Sequence, residues 1–513
     1  MSGVTFLAGD DRALAQAISR LAYCNPFLPE RIECERAALG ADFVARGTLW
    51  HATGEPDPMP NVRALGKRAE ALAGRLAARL TEGERPSAED LQLYEDVVVY
   101  LLFSRYEEDL YRLLIDPRAA TAPLGFYRKF RQDVERFLQI PRATLLADRE
   151  VPHLLAGFFQ VRRAFHYIFR NIIGNSPTIV RLRAAVWQSI FTRDMRRYRR
   201  SLYQRMGDVA TLICGPSGTG KELVARAIGL ARYIPFDPER QAFAEDYAGA
   251  FYVLNPSALS PTLIESELFG HRRGAFTGAV QDRVGWLEVC PPLGAVFLDE
   301  IGELDAAIQV KLLRVLQTRT FQRLGDTRDR RFSGKLIAAT NRDLPREMEA
   351  GRFREDFYYR LCSDLVVTPS LAEQLRDAPA ERGALVSFIA RRVAGDAEAE
   401  SLAAETEGWI DAHLGAGYRW PGNVRELEQC VRDVMIRGEY RPPRAGSPSA
   451  RRRIADEVTG GGLSAEDVLR RYCTLVYADT GSYQETGRRL GLDRRTVREK
   501  IDAALLAELR GGG

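Results

Sequence analysis

Gly215-Pro-Ser-Gly-Thr-Gly-Lys221-Glu222 follows a short apolar run, Val209–Cys214, and opens a segment of helical pattern. That context narrows what the chain can fold into. Glycines let successive backbone N–H groups turn inward around an anion, and a helix start adds positive potential, so Gly215, Pro216, Ser217, Gly218, Thr219, Gly220, Lys221 and Glu222 read as a phosphate-binding loop in an α/β domain. Lys221 is placed to bridge the β- and γ-phosphates. Glu222 stands where such loops usually carry Ser or Thr, and it offers no hydroxyl to magnesium. About 80 residues on, Ala295-Val-Phe-Leu-Asp299-Glu300 is an apolar strand ending in two carboxylates. Asp299 suits a hydrated magnesium ion, and Glu300 suits the polarising of an attacking water. Asn341, after the apolar run Lys335–Thr340, would bring a polar group near the γ-phosphate. Together these residues predict an ATPase using ATP and Mg2+.

The runs Val209–Cys214, Phe251–Leu254, Ala295–Leu298 and Lys335–Thr340 alternate with helical segments, the pattern of a parallel sheet covered on both faces. Upstream the texture is helical. Leu91, Tyr94, Val98, Leu101, Leu102 and Tyr106 recur at three- and four-residue steps, as do Phe126, Phe130, Val134 and Phe137. The stretch from Val151 to Ile173 adds Phe158, Phe159, Phe165 and Phe169. These rings read as helix-bundle core, and an aromatic-lined sensory pocket is the alternative the pattern leaves open. Helical pattern resumes from Leu371 to about Arg437. A linker rich in proline, small residues and arginine follows, and a last helical unit spans roughly 463–509.

With 45% apolar and 28% charged residues the chain has globular proportions, which excludes a mainly disordered protein. No apolar run approaches the roughly 20 residues that cross a bilayer. Seven scattered cysteines without a CxxC pair argue against a zinc site or a disulfide framework, and for a reducing cytoplasm. Only six of the 73 basic residues are lysine, so the number of arginines says little about nucleic acid.

Between the phosphate loop and the acidic strand lies Glu265-Ser-Glu-Leu-Phe-Gly-His271, followed by Gly274-Ala-Phe-Thr-Gly-Ala279. With these motifs the sequence resembles the AAA+ domain of bacterial enhancer-binding proteins, the activators of sigma-54 RNA polymerase. The likeness covers roughly 171–437 and, more weakly, 463–509. It implies that Gly274, Ala275, Phe276, Thr277, Gly278 and Ala279 tip a surface loop that contacts the sigma factor. Physically, the glycines permit a tight exposed turn that presents Phe276 and Thr277. The resemblance further implies that Asn255 restrains the catalytic Glu300 until γ-phosphate is sensed, and that Arg354 and Arg360 serve a neighbouring subunit's nucleotide. Arg425, in Trp420-Pro-Gly-Asn-Val-Arg425-Glu-Leu427, would reach back from a helical lid. Glu222 is the usual residue of this family. A site completed in trans implies a homo-oligomeric ring, a hexamer by family likeness. Two departures stand out. Ser370-Leu-Ala-Glu-Gln374 replaces the usual Pro-Leu-Arg-Glu-Arg, and Arg183–Met206 is unusually basic. That basic stretch reads as a solvated face, with signalling to the N-terminal region or contact with nucleic acid as alternatives.

Near the C-terminus, Gly487 stands four positions before a turn glycine, Gly491, which is helix-turn-helix spacing. Asp493 can cap the second helix. Leu490, Leu492, Val497 and Ile501 form the inward face, which leaves Arg494, Arg495, Thr496, Arg498 and Lys500 for the major groove and flanking phosphates of DNA. The unit is similar to the Fis-type reader that ends many enhancer-binding proteins. The expected organisation is therefore multidomain: a mainly α N-terminal regulatory domain (1–170), an α/β AAA+ P-loop core (171–369), an α-helical lid (370–440), a linker (441–462) and an all-α helix-turn-helix (463–513). The expected function is sigma-54-dependent activation from an upstream enhancer site, with no membrane partner. The rivals are an AAA+ ATPase that remodels another target, and a DNA-binding regulator whose AAA+ domain does not hydrolyse ATP. Val4–Asp11 briefly resembles the start of a phosphorylation receiver, but Asp57 lies between prolines and the required lysine is missing, so a receiver is not expected. Cys24 and Cys34 are expected to be free.

Overall fold

The computed structural model describes residues 6–45, 60–116, 122–141, 143–244, 250–256, 259–415, 417–442, 454–455, 457–458 and 463–511. Most of the 441–462 linker, and Asp57, lie outside them. The chain divides into two compact units, Met1–Val431 and Arg432–Gly513.

The apolar runs of the first unit become β1 (Thr211–Cys214), β2 (Phe251–Leu254), β3 (Ala295–Leu298) and β4 (Lys335–Thr340), joined by β5 (Asp364–Val367). All pair in parallel, in the order β5-β1-β4-β3-β2. Alternate residues feed two cores, as the period of two requires. Leu212, Val296 and Leu336 face one side, and Ile213, Phe297 and Ile337 the other. The sequence reading contains no β5. It is a four-residue edge strand headed by Asp364, and only Val366 is buried, so it carries no continuous apolar signal.

The N-terminal region comprises α1 (Gly9–Tyr23), α2 (Glu30–Leu39), α3 (Pro60–Thr81), α4 (Ala88–Ile115), α5 (Tyr127–Leu138) and α6 (Val151–Asn171). Gly9 to Asp11 open α1, and Cys24 and Cys34 are free thiols. Helices α7 (Pro177–Phe191), α8 (Met195–Arg200), α9 (Lys221–Leu230), α10 (Pro261–Phe269), α11 (Trp286–Val289), α12 (Ala306–Thr318), α13 (Leu344–Glu349) and α14 (Glu355–Leu361) accompany the sheet. Then follow α15 (Leu371–Asp377), α16 (Glu381–Ala394), α17 (Ala399–His413) and α18 (Asn423–Arg437). Among the described residues no helix is long and apolar enough to cross a membrane.

Across residue 170, where the texture of the sequence changes, packing is continuous. Phe27, 1% exposed, packs on Phe169 at 5.6 Å and edge-on to Trp187 at 6.0 Å. At the far end of α9, Arg163 of α6 donates to Arg232 O at 2.9 Å and to Leu230 O, and Gln160 donates to Ala231 O at 3.0 Å. A helix end leaves its last carbonyls unpaired, and here a neighbouring helix supplies the donors. The basic stretch is only partly the solvated face expected: Arg193, Arg197, Arg200 and Arg205 are exposed, and the others are engaged. Arg183 is fully buried and donates to Ile172 O at 2.7 Å. Arg196 holds the fully buried Asp96 of α4 at 2.8 Å, Ser19 of α1 at 2.8 Å and the Tyr23 ring. Arg199 holds Glu95 at 2.6 Å. A buried carboxylate needs such a partner, and these partners lie about 100 residues away, where helical periodicity carries no signal.

The second unit contains α19 (Ala465–Thr480), α20 (Tyr483–Leu490), α21 (Arg494–Lys500) and α22 (Ala503–Gly511). Gly491, at φ +67°, ends α20, and the Asp493 carboxylate caps α21 by accepting from the N–H groups of Arg495 (2.8 Å) and Thr496 (2.9 Å). A Cβ on Gly487 would lie 2.5 Å from Leu492 O, so the tight joint requires glycine there.

Two outcomes follow from this packing. Phe27→Ala should lower the unfolding free energy by about 3–5 kcal/mol in a denaturant titration, because its cavity opens between two helical layers. Lys335 is buried at the start of β4, donating to Val209 O at 2.7 Å, and burial lowers its pKa to about 7. The unfolded chain therefore binds the extra proton between about pH 7 and 10, so stability should rise over that window, and Lys335→Met should flatten the rise.

Candidate nucleotide site

The phosphate loop crosses from β1 to α9 with Gly215, Gly218 and Gly220 at φ +152°, +78° and +85°. Lys221 Nζ donates to Gly215 O at 3.1 Å and Pro216 O at 3.2 Å, holding the loop closed. Burial pulls its pKa down, while Glu300 and Asp299 push it up, so the ammonium and the two carboxylates share one electrostatic neighbourhood. Asp299 N–H donates to Leu254 O at 3.0 Å, which ties the acidic end of β3 to β2 just before Asn255. Glu300 adopts φ +47°, a conformation that costs a non-glycine residue about 1–3 kcal/mol. Its carboxylate accepts from the Asn341 backbone N–H at 3.3 Å. The structure thus gathers Lys221, Asp299, Glu300 and Asn341 from the ends of three strands, β1, β3 and β4.

Two residues absent from the sequence reading complete this frame. Buried Thr368, just after β5, shares a 2.7 Å hydroxyl hydrogen bond with Thr219 and closes against Gly215, where a Cβ would collide with it. Asn423, at φ +55°, donates to Ser217 O at 2.9 Å and accepts from Leu371 N–H at 2.8 Å. Val424 N–H adds a bond to Gly218 O at 3.1 Å, and Arg425 reaches the Ser217 hydroxyl at 3.4 Å. One buried amide therefore ties phosphate loop, α15 and α18 together. The departure at Ser370 makes a capping box, Ser370 Oγ accepting from Glu373 N–H at 3.2 Å and Glu373 accepting from Ser370 N–H at 2.7 Å.

Arg354 and Arg360 are both exposed, at the start and in the last turn of α14. Arg354 is paired in a fork with Asp356 at 2.8 and 3.0 Å, and Gln309 of α12 accepts from its backbone N–H at 2.9 Å. In the second unit Arg494, Arg495 and Arg498 are exposed on α21. Thr496 and Lys500 are committed locally: the Thr496 hydroxyl to Asp493 at 2.5 Å, and Lys500 to Glu466 of α19 at 2.8 Å.

Between α10 and α11 the chain projects as a narrow loop. His271 and Arg283 exchange backbone hydrogen bonds at 3.0 and 2.9 Å, Arg272 pairs with Asp282 at 2.7 Å, and Gly274 N–H donates to Ala279 O at 2.8 Å. Gly274 and Gly278 take φ +81° and +101° at the tip. Thr277 is exposed, while Phe276 leans edge-on to the buried His271 ring at 4.9 Å. Phe276 is thus half-buried at the base of its own turn.

Residues 189–366, which hold the phosphate loop, the acidic strand and this projecting loop, match the family model described as the Sigma-54 interaction domain. Over these residues the chain is similar to the sigma-54 interaction domain family. The Nif-specific regulatory protein of Azotobacter vinelandii is 40% identical over 279 residues, 53% of this chain and 46% of its own length. The hydrogenase transcriptional regulatory protein HoxA of Bradyrhizobium diazoefficiens is 38% identical over 308 residues, covering 57% and 59%. The transcriptional regulatory protein ZraR of Salmonella typhimurium is 38% identical over 303 residues, covering 57% and 63%. The chain therefore spans about half to under two thirds of the curated relatives it matches. The crystal structure of NtrX from Brucella abortus in complex with ATP is similar at 23% identity and a TM-score of 0.38, over 76% of this chain and 82% of that one.

A Cβ at Gly218 would collide with Gly422 O. Gly218→Ala should therefore push Asn423–Arg425 off the loop. Hydrogen–deuterium exchange should speed up in peptides spanning 418–431 and stay unchanged in β4.

Proposed function

We propose that this chain is a sigma-54-dependent transcriptional activator that binds upstream DNA and spends ATP hydrolysis on opening the promoter complex of sigma-54 RNA polymerase. The observation that carries the reading is the clamped Gly274–Ala279 loop in the same unit as a complete phosphate-loop and acidic-strand pair. The family match over 189–366 and the regulators similar to it support the same target.

Lys221 and the inward N–H groups of Gly215–Gly220 would hold the β- and γ-phosphates, and Arg425 would approach from α18. Two carboxylates beside a lysine, at a strand end, fit a magnesium ion shared with substrate phosphates and water better than an all-protein cage. In keeping with that, the described residues contain no group of three or more potential metal-binding side chains. Asp299 would hold the ion through water, and the ion supplies neutralisation of phosphate charge. Glu300 would take the proton of the attacking water, its orientation set by the Asn341 N–H and, by family likeness, by Asn255. Arg354 and Arg360 face outward, where a neighbouring subunit in a hexameric ring would present its nucleotide. Arg354 would exchange Asp356 for phosphate on assembly. Such fingers are worth about 10³–10⁵ in rate.

In this reading the strained Glu300 links hydrolysis to the projecting loop, because γ-phosphate loss changes what its carboxylate bonds to. Arg494, Arg495 and Arg498 would read or flank DNA, and residues 1–170 would regulate the ring in the cytoplasm.

The test uses the full-length chain, sigma-54 polymerase and ATP, with open-complex formation as the readout. Glu300→Gln should retain ATP binding and lose turnover by about 10²-fold or more. Thr277→Ala should hydrolyse ATP normally and form no open complexes. Wild-type hydrolysis without open complexes would assign the motor to another target, and Glu300→Gln turning over normally would remove Glu300 as the base.

A further inference from the structure

Between the N-terminal helices and the helices that open the sheet domain lies a cavity of about 560 Å3. Its wall is chiefly apolar and aromatic, with Tyr100, Phe103, Phe158 and Phe165 from α4 and α6, and Trp187 and Phe191 from α7. The space opens to solvent on one side, where Arg63 and Glu108 are exposed. Two polar atoms in this wall, the Tyr23 hydroxyl and the Trp187 indole N–H, are buried without a hydrogen-bond partner, which leaves them for an occupant.

Gly157 shows that the space is kept open by the sequence. It sits in the middle of α6 and lines the cavity, and a Cβ built on it meets nothing within 4 Å. A mid-helix glycine costs roughly 0.5–1 kcal/mol relative to alanine, and any larger side chain here would extend into the void. The charges around the cavity cancel. Arg31, Arg63, Arg162 and Arg199 are matched by Glu35, Glu107 and Glu108 in the wall and by Glu95, which pairs with Arg199. Arg31 and Glu35 are joined at 2.5 Å. Nothing there favours an ion.

The wall is also wired to the phosphate loop. Gln160 lines the cavity, exchanges hydrogen bonds with Tyr198 at 2.6 and 2.9 Å, and donates to Ala231 O. Arg163, three positions on from Gln160, holds the Leu230 and Arg232 carbonyls. These groups cap the last turn of α9, whose first residue is Lys221. A shift of α6 therefore moves the helix that carries the phosphate-binding lysine.

We propose that this cavity is an effector site for an uncharged, flat, apolar molecule of about one to three rings, and that its occupancy reaches the phosphate loop through α6 and α9. The binding half stands on the cavity alone. The regulatory half rests on the nucleotide-site reading given under Proposed function.

The probe is N-phenyl-1-naphthylamine, an uncharged aromatic dye that fluoresces when it leaves water, titrated into the full-length chain. Saturable one-to-one binding is expected, weakened about tenfold or more in Gly157→Phe, with Gly157→Leu intermediate and both variants melting no lower than wild type. Saturating dye should shift ATP affinity by about fivefold or more in the wild type. In Arg163→Met the dye should still bind and the shift should shrink. Unsaturable binding, or binding that the Gly157 substitutions leave unchanged, overturns the site. Specific binding that leaves ATP affinity unmoved overturns the coupling. Dye binding with no ATP binding at all would instead defeat the nucleotide reading, and dye results as expected alongside a silent polymerase assay would defeat only the sigma-54 target.

Discussion

Helix α9 is fixed at both ends, and much of the first unit is organised by that constraint. At its start, Lys221 closes on the carbonyls of its own loop, which positive-φ glycines fold back over it. At its finish, Gln160 and Arg163 satisfy the carbonyls that a helix end leaves open. Buried carbonyls without donors would each cost about 1–3 kcal/mol, so the bond between α6 and α9 is strongly favoured. It makes the N-terminal helices part of the frame in which the phosphate loop is held.

A second joint works the same way from the opposite side. Asn423 bonds simultaneously to the phosphate loop and to the first turn of α15, in a backbone conformation that few residues other than glycine and asparagine adopt readily. The phosphate loop and the helix after it are therefore gripped between α6 at one end and α18 at the other. The projecting Gly274–Ala279 loop has its own clamp, Arg272 on Asp282, and at its tip Phe276 packs on His271 while Thr277 stays exposed.

Arginine explains why part of this was hard to read. With so few lysines, arginine performs almost every cationic task, from surface fork to buried cap. Arg196, Arg197, Arg199 and Arg200 look alike along the sequence, yet two of them fasten α8 to α4 and α1 while Arg197 and Arg200 are exposed. Lys500 shows the converse. A basic residue expected from the sequence to face DNA is spoken for by Glu466, which the local spacing could not reveal.

The sequence by itself determined the parallel strands β1 to β4, the phosphate loop, the acidic strand end, the projecting glycine turn and the helix-turn-helix joint. These are local: each is written in contiguous apolar runs, in glycines that must take positive φ, or in a capping carboxylate a few residues from its helix. Tertiary structure alone decided the edge strand β5, the closing roles of Thr368 and Asn423, the Arg163 cap and the cavity beside Gly157. Each depends on groups brought together from tens to hundreds of residues apart. The periodicity of α4 and α6 places their aromatic rings on an inward face, but whether those rings fill a core or line a space depends on what α7 brings against them.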